Sequence, residues 1–328
     1  MRAETERTGT MRIIATGATS FVGRAAVKAL LAHGHEVCAV VRENSAKKEL
    51  LAGPDGKYPE KLSFLELDLR DVGRLPELAE GPFDVFLHMG WLGAGSDSRK
   101  DAKVQEESAE CALRAVQAAS ALSCRRFLFT GSQAEYGRKE SLTDEEAECS
   151  PTSPYGEAKL RVRYEAEKLC RELGMDYGHA RIFSTYGPGD HPWSLVSTCM
   201  KAFLADDLVE LTSCTQSWNF LYIDDCGEAI CALAEYPGSL SDEGCVYNLS
   251  GDMEETVPLR TFVDCMQRLC GGGTSCYGFH PYNAEGPVGL YPDNRKITRV
   301  TGWKPETPFD RGIHRMLELI KADKAAHT

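Results

Sequence analysis

The chain has no apolar run of the roughly 20 residues that a membrane-spanning helix requires. It is short of cations, with 37 Lys and Arg against 49 Asp and Glu, a net charge of -12. That balance excludes a broad surface for nucleic acid or anionic lipid, so neither is expected as a partner. It leaves room for one small phosphate pocket, because a helix N-terminus and one or two basic side chains suffice there. No Cys-x-x-Cys pair occurs. The thirteen cysteines are odd in number and scattered from Cys38 to Cys276. A disulfide framework and a zinc ribbon are both excluded, and no metal site is expected. The thiols read as reduced and mostly buried, in a cytoplasmic protein. Repeats and low-complexity tracts are missing as well. The first ten residues are polar and mixed in charge. They read as a flexible extension, without the pattern of a signal peptide.

What is present is an alternation of short apolar runs with helical patterns. This predicts an α/β fold of Rossmann type, a doubly wound parallel sheet with helices on both faces. Strands are expected over Met11 to Thr16, Glu36 to Val41, Leu62 to Leu67, Phe83 to Met89, Arg126 to Thr130 and Tyr177 to Phe183. Helices are expected over Phe21 to His33, Val104 to Leu122 and Pro154 to Leu173. After Tyr186 the elements shorten, although Asn219 to Ile223 and Cys245 to Leu249 still resemble buried strands able to rejoin the sheet. The stretch from Gly271 to Pro292 is irregular, and Asp310 to Ala325 reads as a last helix. The expected division is a dinucleotide-binding domain over residues 11–183, with about 219–249 added. A smaller substrate-binding part takes about 184–218 and 250–328.

Gly17-Ala18-Thr19-Ser20-Phe21-Val22-Gly23 joins the first strand to the first helix. In that context backbone N–H groups and the positive end of a helix can meet a pyrophosphate. Gly17, Thr19, Ser20, Phe21, Val22 and Gly23 are the candidate contacts. Ser20 stands where a middle glycine is expected, and its Cβ crowds the approach. At the end of the second strand Arg42 suits the 2′-phosphate of NADP, with Ser45 beside it. Glu43 is the counter-reading, a carboxylate for a ribose diol, so NAD stays open. Asp68 and Leu69, at the end of the third strand, are placed to meet the adenine.

Tyr155 and Lys159 are four residues apart on a predicted helix and share a face. A tyrosine with a pKa of about 10 is a poor base unless a cation favours its phenolate. The lysine is the expected cation. Ser132 follows the fifth strand at the sheet edge where such folds place ligands, and its hydroxyl can orient a substrate oxygen. Tyr164 and Lys168 repeat the spacing on the same helix. Nine residues separate the tyrosines, about two and a half turns, so only one pair can face a cofactor. The pair in the first turn after Ser153-Pro154 is the candidate.

In these pieces, and in Ser132 to Gly137, Arg181 to Pro188, Phe220 to Asp225 and Gly302 to Pro305, the chain resembles the extended short-chain dehydrogenase/reductase family, in its NAD-dependent epimerase/dehydratase branch. The resemblance implies bound NAD(P), a substrate that is often a nucleotide-diphosphate sugar, and Tyr155, Lys159 and Ser132 as the catalytic residues. It also implies a homodimer, formed by pairing the two long helices of each subunit. Departures bear on the reaction. Ala134 stands where dehydratases of the family carry an acidic residue, and Glu135, shifted by one, should turn elsewhere. Ser184 replaces an expected asparagine and Trp218 an expected arginine. A second arginine is missing from Pro281 to Gly289. Lys201 or Arg295 is the candidate substitute for holding a diphosphate. Trp91, Gln133, His191 and Trp193 are further candidates for lining the substrate pocket. These features leave two enzymes open, a sugar epimerase and an NADPH-dependent ketoreductase, with a non-catalytic dinucleotide sensor as the reading from another class.

Overall fold

A computed structural model describes residues 9–53, 55–95, 98–281 and 288–326. Most of the amino-terminal extension, and most of the stretch from Pro281 to Gly289, lie outside the described residues. Seven strands form one parallel sheet: β1 (Arg12–Thr16), β2 (Glu36–Val41), β3 (Leu62–Glu66), β4 (Val85–His88), β5 (Arg126–Ser132), β6 (Asp176–Ile182) and β7 (Val246–Leu249). Their order is β7-β6-β5-β4-β1-β2-β3. The longer helices are α1 (Phe21–Ala32), α2 (Ala102–Ala121), α3 (Pro154–Glu172), α4 (Leu195–Leu204), α5 (Ile223–Glu235), α6 (Leu259–Cys270), α7 (Arg295–Thr301) and α8 (Phe309–Ala326).

The strands are almost wholly apolar because both sheet faces are covered. Side chains alternate between two cores. Ile13, Ala15, Val85, Leu87 and Leu128 face one core, with Ala26 of α1 and Ile230 of α5. Ile14, Phe86, Phe127 and Phe129 face the other, with Val116 of α2 and Val162 of α3. The strand order reverses between β1 and β4, and the crevice outside their carboxyl ends is where such a sheet receives a ligand.

Three expectations change. The fifth strand runs on to Ser132, making that serine its last residue. Of the two later strands only Val246–Leu249 joins the main sheet, pairing with β6 through Leu249 opposite Ile182. Phe220–Tyr222 instead pairs with Ser184–Tyr186 in a separate ribbon, since β7 already occupies the edge beside β6. The third change is α6, in a region the sequence pattern left without a helix. Its buried residues Leu259, Phe262, Val263 and Met266 carry helical spacing, and Gly271 ends it at φ +81°.

The base of the sheet is tied to the later part of the chain by one side chain. Arg126, at the start of β5, is buried and pairs with Asp176 at 2.7 Å. Its guanidinium also donates to the carbonyls of Leu233, Ala234, Tyr236 and Gly238. Those carbonyls, left open at the end of α5, are satisfied by a buried cation.

Candidate active site

The glycine turn closes tightly onto the end of β4. Gly17 adopts φ +68°, and a Cβ there would stand 2.5 Å from the backbone of Met89 and Gly90. A Cβ on Gly23 would stand 2.1 Å from the Gly17 carbonyl oxygen. Both positions therefore require glycine. Ser20 caps α1, its hydroxyl accepting the Gly23 amide at 3.0 Å. Phe21 and Val22 follow in the open first turn, whose amides have no carbonyl four residues back within the helix. Arg24 donates to the carbonyl of Gly189 at 2.8 Å, which brings the Gly187–Asp190 turn to the same helix start. Below it His88 is fully buried, with Nδ1 2.9 Å from the Thr16 hydroxyl and Nε2 without a partner. Burial, with Lys159 nearby, drives this imidazole down to about 3, so it is neutral.

At the end of β2, Arg42, Glu43 and Asn44 are exposed and, with Ser45, Ala46 and Lys47, line a hollow of about 320 Å³. Asp68 caps the short turn Leu69–Arg74, accepting the Arg70 amide at 3.0 Å. Leu69 lies against Gly90, where a Cβ would meet its Cδ1 at 2.9 Å. The start of α1, an apolar wall at Leu69 and a polar hollow at Arg42 run along one edge of the sheet. These residues fit an extended dinucleotide.

At the other end of this track lie Ser132, Tyr155 and Lys159, the candidate proton-transfer group. Gly156 lets α3 approach the turn after β5 so closely that a Cβ would stand 2.5 Å from the Ala134 carbonyl. That approach sets Tyr155 beside Ser132. Tyr155 is buried, and burial pushes its phenol up; Arg99 and a side-chain hydrogen bond from Ser132 oppose the shift, and Glu135 adds to it. Lys159 donates to the Thr130 carbonyl at 2.8 Å. Its ammonium lies 3.8 Å from the ring centre of Trp91, 4.5 Å from that of Phe129 and 5.8 Å from that of Tyr155. Burial pulls Lys159 down to about 7. Trp91 meets Tyr155 edge-on with ring centres 6.1 Å apart. The second pair is elsewhere: Tyr164 is 55% exposed, and Lys168 reaches Glu172 on the surface.

Glu135 turns away from the crevice, as its shifted position suggests. It is fully buried and accepts the Ser132 amide at 2.7 Å, His179 Nε2 at 3.0 Å and Arg181 Nε at 2.7 Å. Burial pushes its carboxyl up, but His179 and then Arg181 outweigh that and hold it at about 2. His179 Nδ1 lies 2.8 Å from the Tyr177 hydroxyl. Within the sequence nothing marks these partners, because they come from a neighbouring strand.

The remaining predicted residues divide. Gln133, half-buried, follows Ser132 in a single turn of 3-10 helix, and Ser184 lies just past the end of β6, on the edge that carries Ser132. His191 and Trp193 stack on each other 4.7 Å apart, with Trp193 66% exposed. Lys201 is exposed on α4. Arg295 pairs with Asp293 and lines a separate hollow with Asp144, Glu146 and Glu243. Sequence reasoning missed Arg99, whose guanidinium lies 4.5 Å from the centre of the Tyr155 ring. It also missed Gln105, which accepts the Trp91 indole N–H at 2.8 Å.

A model of the NAD dependent epimerase/dehydratase family matches residues 13–250. The chain belongs to this family. Epimerase/dehydratase relatives span much of its length. A UDP-glucose 4-epimerase of Mycolicibacterium smegmatis is 24% identical over 322 residues, covering 95% of this chain and 99% of that protein. UDP-glucose 4-epimerase 2 of Oryza sativa subsp. japonica is 30% identical over 171 residues, which is 50% of this chain and 41% of that protein. Solved structures share the fold. A UDP-glucose 4-epimerase from Thermotoga maritima, crystallised with UDP-glucose, superposes with a TM-score of 0.81 at 20% identity, covering 95% of this chain and 99% of that one. For a UDP-glucuronic acid 4-epimerase from Bacillus cereus in complex with NAD the values are 0.76, 20%, 92% and 94%. Membership places the chain among enzymes of the extended short-chain dehydrogenase/reductase type.

Proposed function

We propose that this protein is an NAD(P)-dependent sugar epimerase acting on a nucleotide-diphosphate sugar. The observation that carries the reading is the convergence of Ser132, Tyr155 and Lys159 at the end of the same crevice that opens at Gly17. Tyr155, as phenolate, takes the proton from a sugar hydroxyl while Ser132 orients its oxygen. A bound dinucleotide would supply reversible hydride chemistry at the carbinol carbon, and Gly17, Ser20 and Gly23 at the start of α1 are the residues that would hold its pyrophosphate. Tyr155 gives its proton back in the return step, so protons and electrons balance over the cycle. Lys159 would hold a hydroxyl of the nicotinamide ribose.

NADP is favoured at the adenine end because Arg42 and Lys47 outnumber Glu43 around the hollow. The reading includes a homodimer through the outer faces of α2 and α3, where the exposed Tyr164 lies. It also includes a cytoplasmic setting, in keeping with thirteen unpaired cysteines. One observation favours a second reading, the NADPH-dependent ketoreductase. Arg295 is committed to Asp293, and Lys201 is exposed on α4, so neither is presented as a built diphosphate clamp.

Mass spectrometry of the dinucleotide released on denaturation separates the two. A stoichiometric, tightly held dinucleotide supports the epimerase. An empty protein that takes up NADPH afresh in each cycle supports the reductase. Tyr155→Phe should lower turnover by about 10²–10⁴-fold while cofactor still binds; unchanged turnover overturns both enzymatic readings.

A further inference from the structure

Helices α1 and α5 pack side by side, and a glycine sets how closely. A Cβ on Gly227 would stand 2.5 Å from the Ala25 carbonyl oxygen. α1 stops just before β2 begins, and α5 stops at the carbonyls that Arg126 holds. Both carboxyl ends therefore lie at the base of the sheet, away from the crevice. Each presents the negative end of a helix dipole, a setting that favours a cation.

Ligand-type side chains gather at these ends. α5 carries Glu228, Cys231 and Glu235, spaced three and four residues apart and so on one face. His33, the C-cap of α1, stands against them. Its Nε2 lies 3.0 Å from Glu228 Oε2, and its Nδ1 lies 3.1 Å from Glu235 Oε1. Cys231 is fully buried and unpaired. One ligand atom each from His33, Cys231 and Glu235 lie within 4.8 Å of one another. Nitrogen, thiolate and carboxylate are the donors zinc takes, at about 2.0–2.3 Å from the ion, hence about 3.3–3.8 Å from one another in a tetrahedron. A movement of about 1 Å in the exposed His33 and half-buried Glu235 side chains closes the set to that size.

The surrounding groups fit as well. A histidine that ligates through one ring nitrogen donates its other N–H to a carboxylate. With Nδ1 on an ion, His33 Nε2 still meets Glu228. Glu235 is aimed by His35. The Met11 amide donates to His35 Nδ1 at 3.2 Å, so the imidazole proton sits on Nε2, which donates to Glu235 Oε1 at 2.9 Å. Glu235 Oε2 is left for the ion.

We propose that His33 Nδ1, Cys231 Sγ and Glu235 Oε2 bind a divalent cation of zinc type, which staples the carboxyl ends of α1 and α5. Solvent fills the fourth position. On binding, the thiol proton leaves to bulk solvent, and the ion neutralises the thiolate and the carboxylate. The site has no sequence motif because its ligands come from two helices, with His33 and Glu235 separated by 202 residues.

The test is titration of the reduced, chelator-treated full chain with cobalt(II), followed by displacement with zinc. One equivalent of cobalt should give a thiolate-to-cobalt charge-transfer band that zinc abolishes. Cys231→Ala should lose the band, and both Cys231→Ala and His33→Ala should weaken zinc binding by more than about 100-fold. Glu228→Ala should weaken it by about 10–100-fold and keep the band. Zinc should raise the melting temperature of the unsubstituted protein and leave that of His33→Ala in place. Should Cys231→Ala fail to fold, Cys231→Ser gives the same comparison. Absence of saturable binding overturns the proposal. So does a band that persists in the Cys231 variant, which would place the ion at another of the cysteines, or zinc affinity unchanged in His33→Ala.

Discussion

Glu135 lies directly behind Ser132, its Oε1 accepting the Ser132 amide at 2.7 Å while the serine hydroxyl accepts the Ala134 amide at 3.2 Å. The carboxylate is thus the fixed point from which the serine side chain is aimed. Because its folded pKa of about 2 is below the ordinary value of 4.5, it contributes stability at pH above about 4.5. That contribution is lost as pH falls towards 2. Glu135→Gln should remove much of this acid dependence in melting curves. Glu135→Ala, which strands Arg181 without its carboxylate, should cost about 3–5 kcal/mol in denaturant titrations. Equal acid dependence in Glu135→Gln and the unsubstituted protein would remove the carboxylate from this role.

Lys159 gives a pH signature of the same sign in a higher window. In the folded chain it releases its proton near pH 7, against an ordinary value of 10.5. The unfolded chain binds more protons between those values, so stability should rise with pH across that window. Lys159→Met removes a buried ammonium that is disfavoured below pH 7. The variant should therefore melt higher than the unsubstituted protein at pH 6, with the gain fading towards pH 10, and should lose turnover. A melting difference that does not change with pH contradicts the burial of a titrating ammonium here.

Gly156→Ala places a methyl group 2.5 Å from the Ala134 carbonyl and must push α3 off the turn that holds Ser132. Overpacking of this kind costs about 1–3 kcal/mol. Since a displacement of about 1 Å at reacting groups can cost 10²-fold in rate, turnover should fall by more than the lost stability explains. Kinetics well below the melting temperature separate the two effects.

Much of this site was legible because its key relations are local. The spacing of Tyr155 and Lys159 is a property of one helix, and the Gly17–Gly23 turn is a property of seven consecutive residues. Glu135 was read as turning away for the same reason. What escaped comes from contacts between distant segments. Glu135 meets His179 and Arg181 from 44 and 46 residues away, and Arg99 reaches Tyr155 from a loop on another strand. Arg295, the candidate for holding a diphosphate, pairs with Asp293 two residues before it. The short strand at Phe220 was visible as apolar and extended; which sheet it joins depended on β7.

The choice between NADP and NAD turns on the hollow after β2. Arg42→Ala should weaken NADP binding by at least about tenfold, the scale of one charge-assisted contact, and leave NAD binding nearly unchanged. Calorimetric titration with each dinucleotide measures both. Equal weakening of the two would assign Arg42 to the loop rather than to a 2′-phosphate.

Arg126 sets a limit on how this protein can be taken apart. The strand that ends in Ser132 begins with a buried guanidinium whose carbonyl partners lie more than a hundred residues later, at Leu233, Ala234, Tyr236 and Gly238. A fragment ending at residue 183 would keep the pairing with Asp176 but strip the guanidinium of all four carbonyl partners, and would expose the β6 edge that β7 covers. The nucleotide-binding half is thus no interchangeable module. New substrate preferences on this scaffold have to arise by substitution within the later segments, because exchanging those segments wholesale would remove the piece that completes the sheet.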